Sequence, residues 1–116
     1  MKQQGPIFEQ AAETFLLTAG LELIHRNFRS DYGEIDLIML DQNTLVFVEV
    51  RKRQNSRFYS AAASVSNAKQ LRIIKTGLIF LTANPYYKNH FCRFDVIAYQ
   101  NRFDAPLWIK SAFTEA

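Results

Sequence analysis

An α/β domain in the order α-β-β-β-α-β-β is predicted by three features: two stretches with apolar residues at helical spacing, two β-rich runs joined by a tight turn, and shorter strand-like runs near the C-terminus. Pro6 suits a first helical position, and Phe8, Ala11, Ala12, Phe15, Leu16 and Ala19 then share one helical face until Gly20 interrupts the pattern. Residues 21 to 29 read as a strand and Ser30-Asp31-Tyr32-Gly33 as a turn. Residues 34 to 40 and 44 to 52 form strands two and three, a hairpin closed through Asp41-Gln42-Asn43. The polar, basic segment 53 to 64 reads as a loop. Ser64 or Ser66 can cap the next helix, expected from Val65 to about Ala83. Its apolar stripe is Ala68, Leu71, Ile74, Leu78 and Leu81, with Lys69, Arg72 and Lys75 on neighbouring faces. Asn84-Pro85 stops it, Cys92 to Tyr99 makes a fourth strand, and Leu107 to Ala112 makes a short fifth.

The 116 residues suffice for one core, so a single domain spanning 1-116 is expected. Lys and Arg outnumber Asp and Glu by 14 to 11, and a pI of about 9.2 suits a polyanionic partner. The lone Cys92 excludes an internal disulfide or a multi-cysteine zinc site, and packing is its expected role. The N-terminus lacks the apolar core of a signal peptide, and Ile73 to Leu81, broken by Lys75 and Thr76, falls short of the ~20 residues of a membrane span. A cytoplasmic location without a membrane partner is expected. His25 and His90 stand apart, without metal-site spacing.

The hairpin concentrates charge. With Asp41 opposite Thr44, Ile35, Leu37 and Met39 face Val50, Val48 and Val46 on one apolar side. The other side pairs Leu40 with Leu45 and Ile38 with Phe47, then sets Asp36 opposite Glu49 and Glu34 opposite Arg51. Two carboxylates ~4 Å apart repel by about 4 kcal/mol at an effective dielectric of 20. A shared proton, Arg51 or a hard divalent cation can offset that, and oxygen ligands favour Mg²⁺ over Zn²⁺. A buried ion-pair network that only fixes the sheet is the competing reading. Charges grouped at one end of an apolar face tend to mark sites, and the basic run Arg51-Lys52-Arg53 through Arg57 leaves the same end, where it can meet phosphates.

Gly33-Glu34-Ile35-Asp36-Leu37-Ile38, Val46-Phe47-Val48-Glu49-Val50-Arg51-Lys52-Arg53 and Arg93-Phe94-Asp95-Val96-Ile97, in that order, resemble the YraN-like family of bacterial proteins over residues 5 to 112. That family is assigned to the PD-(D/E)xK nuclease superfamily, with archaeal Holliday-junction resolvases among its closer relatives. The resemblance implies a restriction-endonuclease-like three-layer fold, a mixed sheet of about five strands flanked by helices. It implies that Asp36 and Glu49 hold Mg²⁺ or Mn²⁺, with the Val50 carbonyl as a further ligand. Arg51 then stands at the superfamily's lysine position, and Glu9 at an acidic position near the site. Glu9 is equally readable as a first-turn carboxylate favoured by the helix dipole. Gln70 falls where related nucleases place a helix glutamine, and equally suits a solvated helix face.

Arginine stays protonated and makes a poor general base, yet it can hold a phosphate or stabilise its developing charge. The function the resemblance implies is a metal-dependent endonuclease hydrolysing DNA phosphodiester bonds, in branched or structured DNA, with Asp36, Glu49, Arg51 and Glu9 in the catalytic group. Lys52, Arg53, Arg57, Lys69, Gln70 and Arg72 would line the nucleic acid. The alternative is a nucleic-acid-binding module that keeps the fold without turnover, which Arg51 favours. A third is a structural domain using its aromatic residues as an interface. Related junction-cutting enzymes are dimers, which raises a homodimer, although no dimer stripe stands out. Glu34 reads either as a carboxylate supporting the site or, by slight preference, as the salt-bridge partner of Arg51, and Arg93 with Asp95 as a structural ion pair in preference to a charged pair beside the site; Glu13 reads as surface and Trp108 as core. Phe58 and Tyr59 in the basic loop are candidates for base stacking.

Overall fold

The first helix, α1 (Gly5–Thr18), buries Phe8, Ala12 and Leu16, one residue per turn. Gly20, at φ 101°, ends it. The Gly20 N–H donates to the Leu17 carbonyl and the Leu21 N–H to that of Leu16, both at 3.0 Å, while Leu16 and Leu21 share one apolar cluster. This is a Schellman cap: the left-handed residue satisfies carbonyls the helix leaves open and turns the chain toward the sheet.

The computed structural model describes residues 5–52, 65–99 and 105–114. After α1 come β1 (Glu22–Arg29), β2 (Glu34–Asp41), β3 (Thr44–Lys52), α2 (Asn67–Ala83), a 3-10 turn (Pro85–Tyr87), β4 (Phe91–Tyr99) and β5 (Leu107–Phe113). The five strands lie in the order β1-β2-β3-β4-β5, all neighbours antiparallel except the parallel pair β3 and β4. That parallel pair requires a crossover, and α2 lies in it. This is the mixed sheet flanked by helices, in the element order predicted from sequence. Ser66 is the cap of α2, its hydroxyl accepting from the Lys69 N–H at 3.2 Å. No helix among the described residues is long and apolar enough to cross a membrane.

Strand alternation splits the core into two clusters. Leu37, Met39, Val46, Val48, Ile97 and Tyr99 pack with Phe8, Ala12 and Leu16 of α1. Ile38, Leu45, Phe47, Phe94, Val96 and Ala98 pack with Ile73, Ile74 and Phe80 of α2. The helices thus cover opposite faces, giving three layers.

The face of α2 that packs keeps Ile74 and Leu81 of the expected stripe but not Ala68, Leu71 or Leu78. Leu71 and Leu78 are 59% and 48% exposed, and the buried residues are Ile73, Ile74, Thr76, Gly77 and Phe80. Beside Ile73, Ile74 and Phe80, a small and a polar residue also take part in this contact. Gly77 lies against the Phe47 ring, where an added Cβ would come within 3.3 Å of Cε2. The Thr76 hydroxyl donates to the Arg72 carbonyl at 2.8 Å and lies 2.8 Å from the Ser30 hydroxyl. A hydropathy stripe overlooks a glycine whose value is the room it leaves. Gly77→Leu is expected to destabilise the protein by about 1–3 kcal/mol through overpacking, measured as a lower denaturant midpoint with unchanged m-value.

Candidate functional site

The β2–β3 register follows the sequence reading from Asp41↔Thr44 through Leu37↔Val48. Beyond it the strands depart from simple alternation. Leu37 belongs to the α1-side cluster, whereas Ile35, two residues away, belongs to the α2-side cluster. The expected grouping of Ile35 with Leu37 and Met39 on one face is therefore corrected. β1 changes face at the same level: Arg26, paired with Leu37, reaches Glu13 on α1, while Phe28, paired with Ile35, packs on the α2 side. Between them Asn27 has φ 52°, a left-handed backbone that a regular pleat does not contain. Neighbouring strands share this interruption, and Asp36 lies across from Asn27.

Asp36 is 7% exposed, and its Oδ2 accepts the Val50 N–H at 2.8 Å. The side chain thus takes up a β3 amide where the regular ladder gives out. Burial, and next the negative charge of Glu49, push the Asp36 carboxyl well above the ordinary carboxylate range; the Val50 amide opposes this, and Glu9 and Glu34 add to it. Glu49 is 4% exposed, and its Oε2 lies 2.8 Å from Lys69 Nζ and 3.5 Å from Arg51 Nη1. On the α1 side, Asn27 Nδ2 donates at 2.9 Å to Glu9 Oε1 and at 2.9 Å to Glu34 Oε2. Carboxylates from α1, β2 and β3 therefore act on one buried acid.

Glu9 thus reaches the charged cluster through Asn27, and Glu49 acts on Asp36 as a neighbouring negative charge. Lys69 is the residue whose place the sequence reading missed. Expected along the nucleic-acid backbone, it instead turns in toward Glu49 from the first turn of α2. The missed signal is its position three residues after the Ser66 cap, which ties it to the helix end nearest β3. Gln70 bonds the Val65 carbonyl at 3.0 Å, fixing the approach to α2. Lys52 lies over the Phe8 ring, 6.0 Å from its centroid, on the α1 side of the sheet, and Arg72 is exposed. Arg53, Arg57, Phe58 and Tyr59 lie outside the described residues.

Further expectations are corrected. Glu34 is held by Asn27 and, at 3.6 Å, by Arg29, while Arg51 lies against Glu49. The reason is the left-handed turn of β1, which brings Asn27 to Glu34. Glu13 is not free surface: Arg26 grips both of its carboxylate oxygens at 2.7 and 2.9 Å. Cys92 does not pack but is exposed, at the rim of an apolar cavity of about 300 Å³ between α2 and β4–β5, beyond the helix's cover. His25 and His90 contact aromatic rings, Phe28 and Tyr87. The Arg93–Asp95 pair is structural, as expected, with Trp108 half-buried beside it.

Comparison with known proteins bears on this cluster. The model of the uncharacterised protein family UPF0102 matches residues 8–99. The chain belongs to the UPF0102 family. A UPF0102 protein of Psychromonas ingrahamii is 45% identical over 112 residues, covering 97% of this chain and 90% of that protein. One from Pseudomonas putida strain GB-1 is 47% identical over 111 residues, covering 90% of each chain. A third, from Nitrosomonas europaea, is 44% identical over 115 residues, covering 97% of this chain and 95% of the relative. Glu9, Asn27, Asp36, Glu49, Arg51 and Lys69 all lie within the span matched by the UPF0102 model.

Among the described residues no group of three or more His, Cys, Asp or Glu is arranged as a ready ligand set. An all-protein cage is thus not offered. Mg²⁺ does not need one, because it keeps several waters and takes one or two carboxylates plus substrate phosphates. Asp36 and Glu49 could supply two such carboxylates, and a divalent cation there would offset the repulsion that Glu49 exerts on Asp36.

Proposed function

We propose that this UPF0102 protein is a metal-dependent endonuclease that hydrolyses DNA phosphodiester bonds, with branched or structured DNA as its substrate class. The observation that carries the reading is the buried Asp36–Glu49 pair at the irregular end of the hairpin, with the cations of Lys69 and Arg51 against Glu49. Burying two carboxylates at a sheet end costs stability. Asp36 and Glu49, with the Val50 carbonyl, would hold Mg²⁺ or Mn²⁺. Such an ion, when bound, polarises a phosphoryl oxygen and lowers the pKa of a water. The Val50 amide orients Asp36. Arg51 and Lys69 supply positive charge where a phosphate's developing charge needs it, Arg51 as a planar fork and Lys69 as a point charge. Lys52 and Arg72 are assigned to contacts with the nucleic-acid backbone; Arg53 and Arg57, expected from sequence to share that role, lie outside the described residues.

A second reading, a nucleic-acid-binding module without turnover, is favoured by one observation: the Lys69 ammonium, 2.8 Å from Glu49, already balances that carboxylate. Incubating the purified protein with labelled linear, flap and four-way DNA, with Mg²⁺, Mn²⁺ or EDTA, separates the two. Metal-dependent cleavage is expected. Tight binding without cleavage under either metal would establish the module instead. Affinity is expected to fall steeply with salt, with a log–log slope of about −0.9 per neutralised phosphate. A flat salt response would rule against nucleic acid as the partner.

A further inference from the structure

We infer that Asn27 is a positioning residue of the candidate metal site, holding Glu9 of α1 and Glu34 of β2 together beside Asp36; the inference rests on the metal-dependent reading of that site. One amide nitrogen carries two hydrogens, and here each goes to a different carboxylate, 2.9 Å to Glu9 Oε1 and 2.9 Å to Glu34 Oε2. Two carboxylates so close together repel, and an uncharged double donor holds both without neutralising either. A lysine or arginine here would cancel charge that a divalent cation needs.

The backbone supports the same role. Asn27 is at φ 52°, a region that asparagine tolerates better than most residues, and it sits where β1 changes face across from Asp36. Its side chain is thereby directed at α1, from which Glu9 descends. A cavity of about 380 Å³ lined by Pro6, Glu9, Gln10, Glu13, Arg26 and Asn27, among others, opens on the α1 side of Asn27 and leaves water room beside Glu9; Glu34, Asp36 and Glu49 do not line it. Asn27 thus couples the position of α1 to the sheet at the level of the site. Residues that orient a metal site's carboxylates without touching the ion commonly change its affinity 10–100-fold.

The test is Mn²⁺ binding by calorimetry to the full chain and to Asn27→Gly, Glu9→Gln and the double variant. Glycine keeps the left-handed backbone and removes only the amide, and circular dichroism checks that the fold is retained. Asn27→Gly and Glu9→Gln are each expected to weaken Mn²⁺ binding about tenfold. The double variant is expected to lose less than the product of the two single losses, because Asn27 acts partly through Glu9 and partly through Glu34. Wild-type affinity in folded Asn27→Gly, or in Glu9→Gln, which alone decides should the glycine variant not fold, overturns the positioning role and leaves the metal site standing. Absence of Mn²⁺ binding by the wild-type chain overturns both.

Discussion

Asp36→Asn and Glu49→Gln are each expected to reduce Mg²⁺-dependent cleavage about 100-fold or more, since each removes one of two carboxylates available to the ion. Cleavage that survives both substitutions would refute the site. Their effects on stability differ, and the sign follows from the charges. The folded state holds Asp36 above the ordinary carboxylate range, mainly through burial and then through Glu49. As pH rises from that range through the raised value, the unfolded chain releases a proton that the native chain retains, so stability falls across this window. Above it the native state bears the whole cost of a buried, repelled charge. Asp36→Asn removes that cost and keeps an oxygen for the Val50 amide. In EDTA above the window it is expected to stabilise by about 0.5–2 kcal/mol, roughly 2–10 °C in Tm. The gain should vanish as pH falls below the ordinary carboxylate range. Glu49→Gln should show no such gain, because it takes the counter-charge from Lys69 and Arg51. Thermal melts of the three proteins against pH check this, and a destabilised Asp36→Asn at high pH would contradict it.

How much of this was legible in the sequence depended on whether the controlling physics is periodic. The hairpin register was legible because alternating side chains admit one pairing that sorts apolar from charged residues, and Leu37↔Val48 through Asp41↔Thr44 obeys it. Cap and stop residues placed the helices within a residue or two, as with Ser66 and Gly20. What was not legible is aperiodic. Asn27 at φ 52° leaves no hydropathy trace, yet it marks where the pleat turns over, and without it Ile35 was assigned to the wrong face. Gly77 and Thr76 join the helix contact through size and a hydroxyl, which rotates the packed face so that Ile74 of the stripe is buried while Leu71 and Leu78 are exposed. Lys69 is one basic residue of three along α2, and only the three-dimensional approach of that helix's first turn to β3 selects it.

Asp95→Ala is expected to produce the largest loss of stability. Asp95 is fully buried and accepts from Arg93 Nε at 3.1 Å, Trp108 Nε1 at 2.9 Å and the Ser111 N–H at 2.9 Å. Ser111 is at φ 52°, and the β4–β5 register shifts between Phe94 and Val96, so the carboxylate supplies the acceptor that an irregular β5 cannot obtain from the ladder. Arg93 also lies 3.1 Å from Asp41 Oδ2, which links the hairpin turn to β4. Alanine would leave a mostly buried guanidinium with one carboxylate instead of two, and strand an indole and a backbone N–H. A cost of about 3 kcal/mol follows, equivalent to roughly 10–15 °C in Tm. Asp95→Asn keeps an acceptor but sets an amide against Arg93, so its loss should be smaller. Because this network belongs to the sheet and not to the Asp36 cluster, the folded fraction of Asp95→Ala at low temperature should bind Mn²⁺ with wild-type affinity, and a matching loss of affinity would place Asp95 in the site after all.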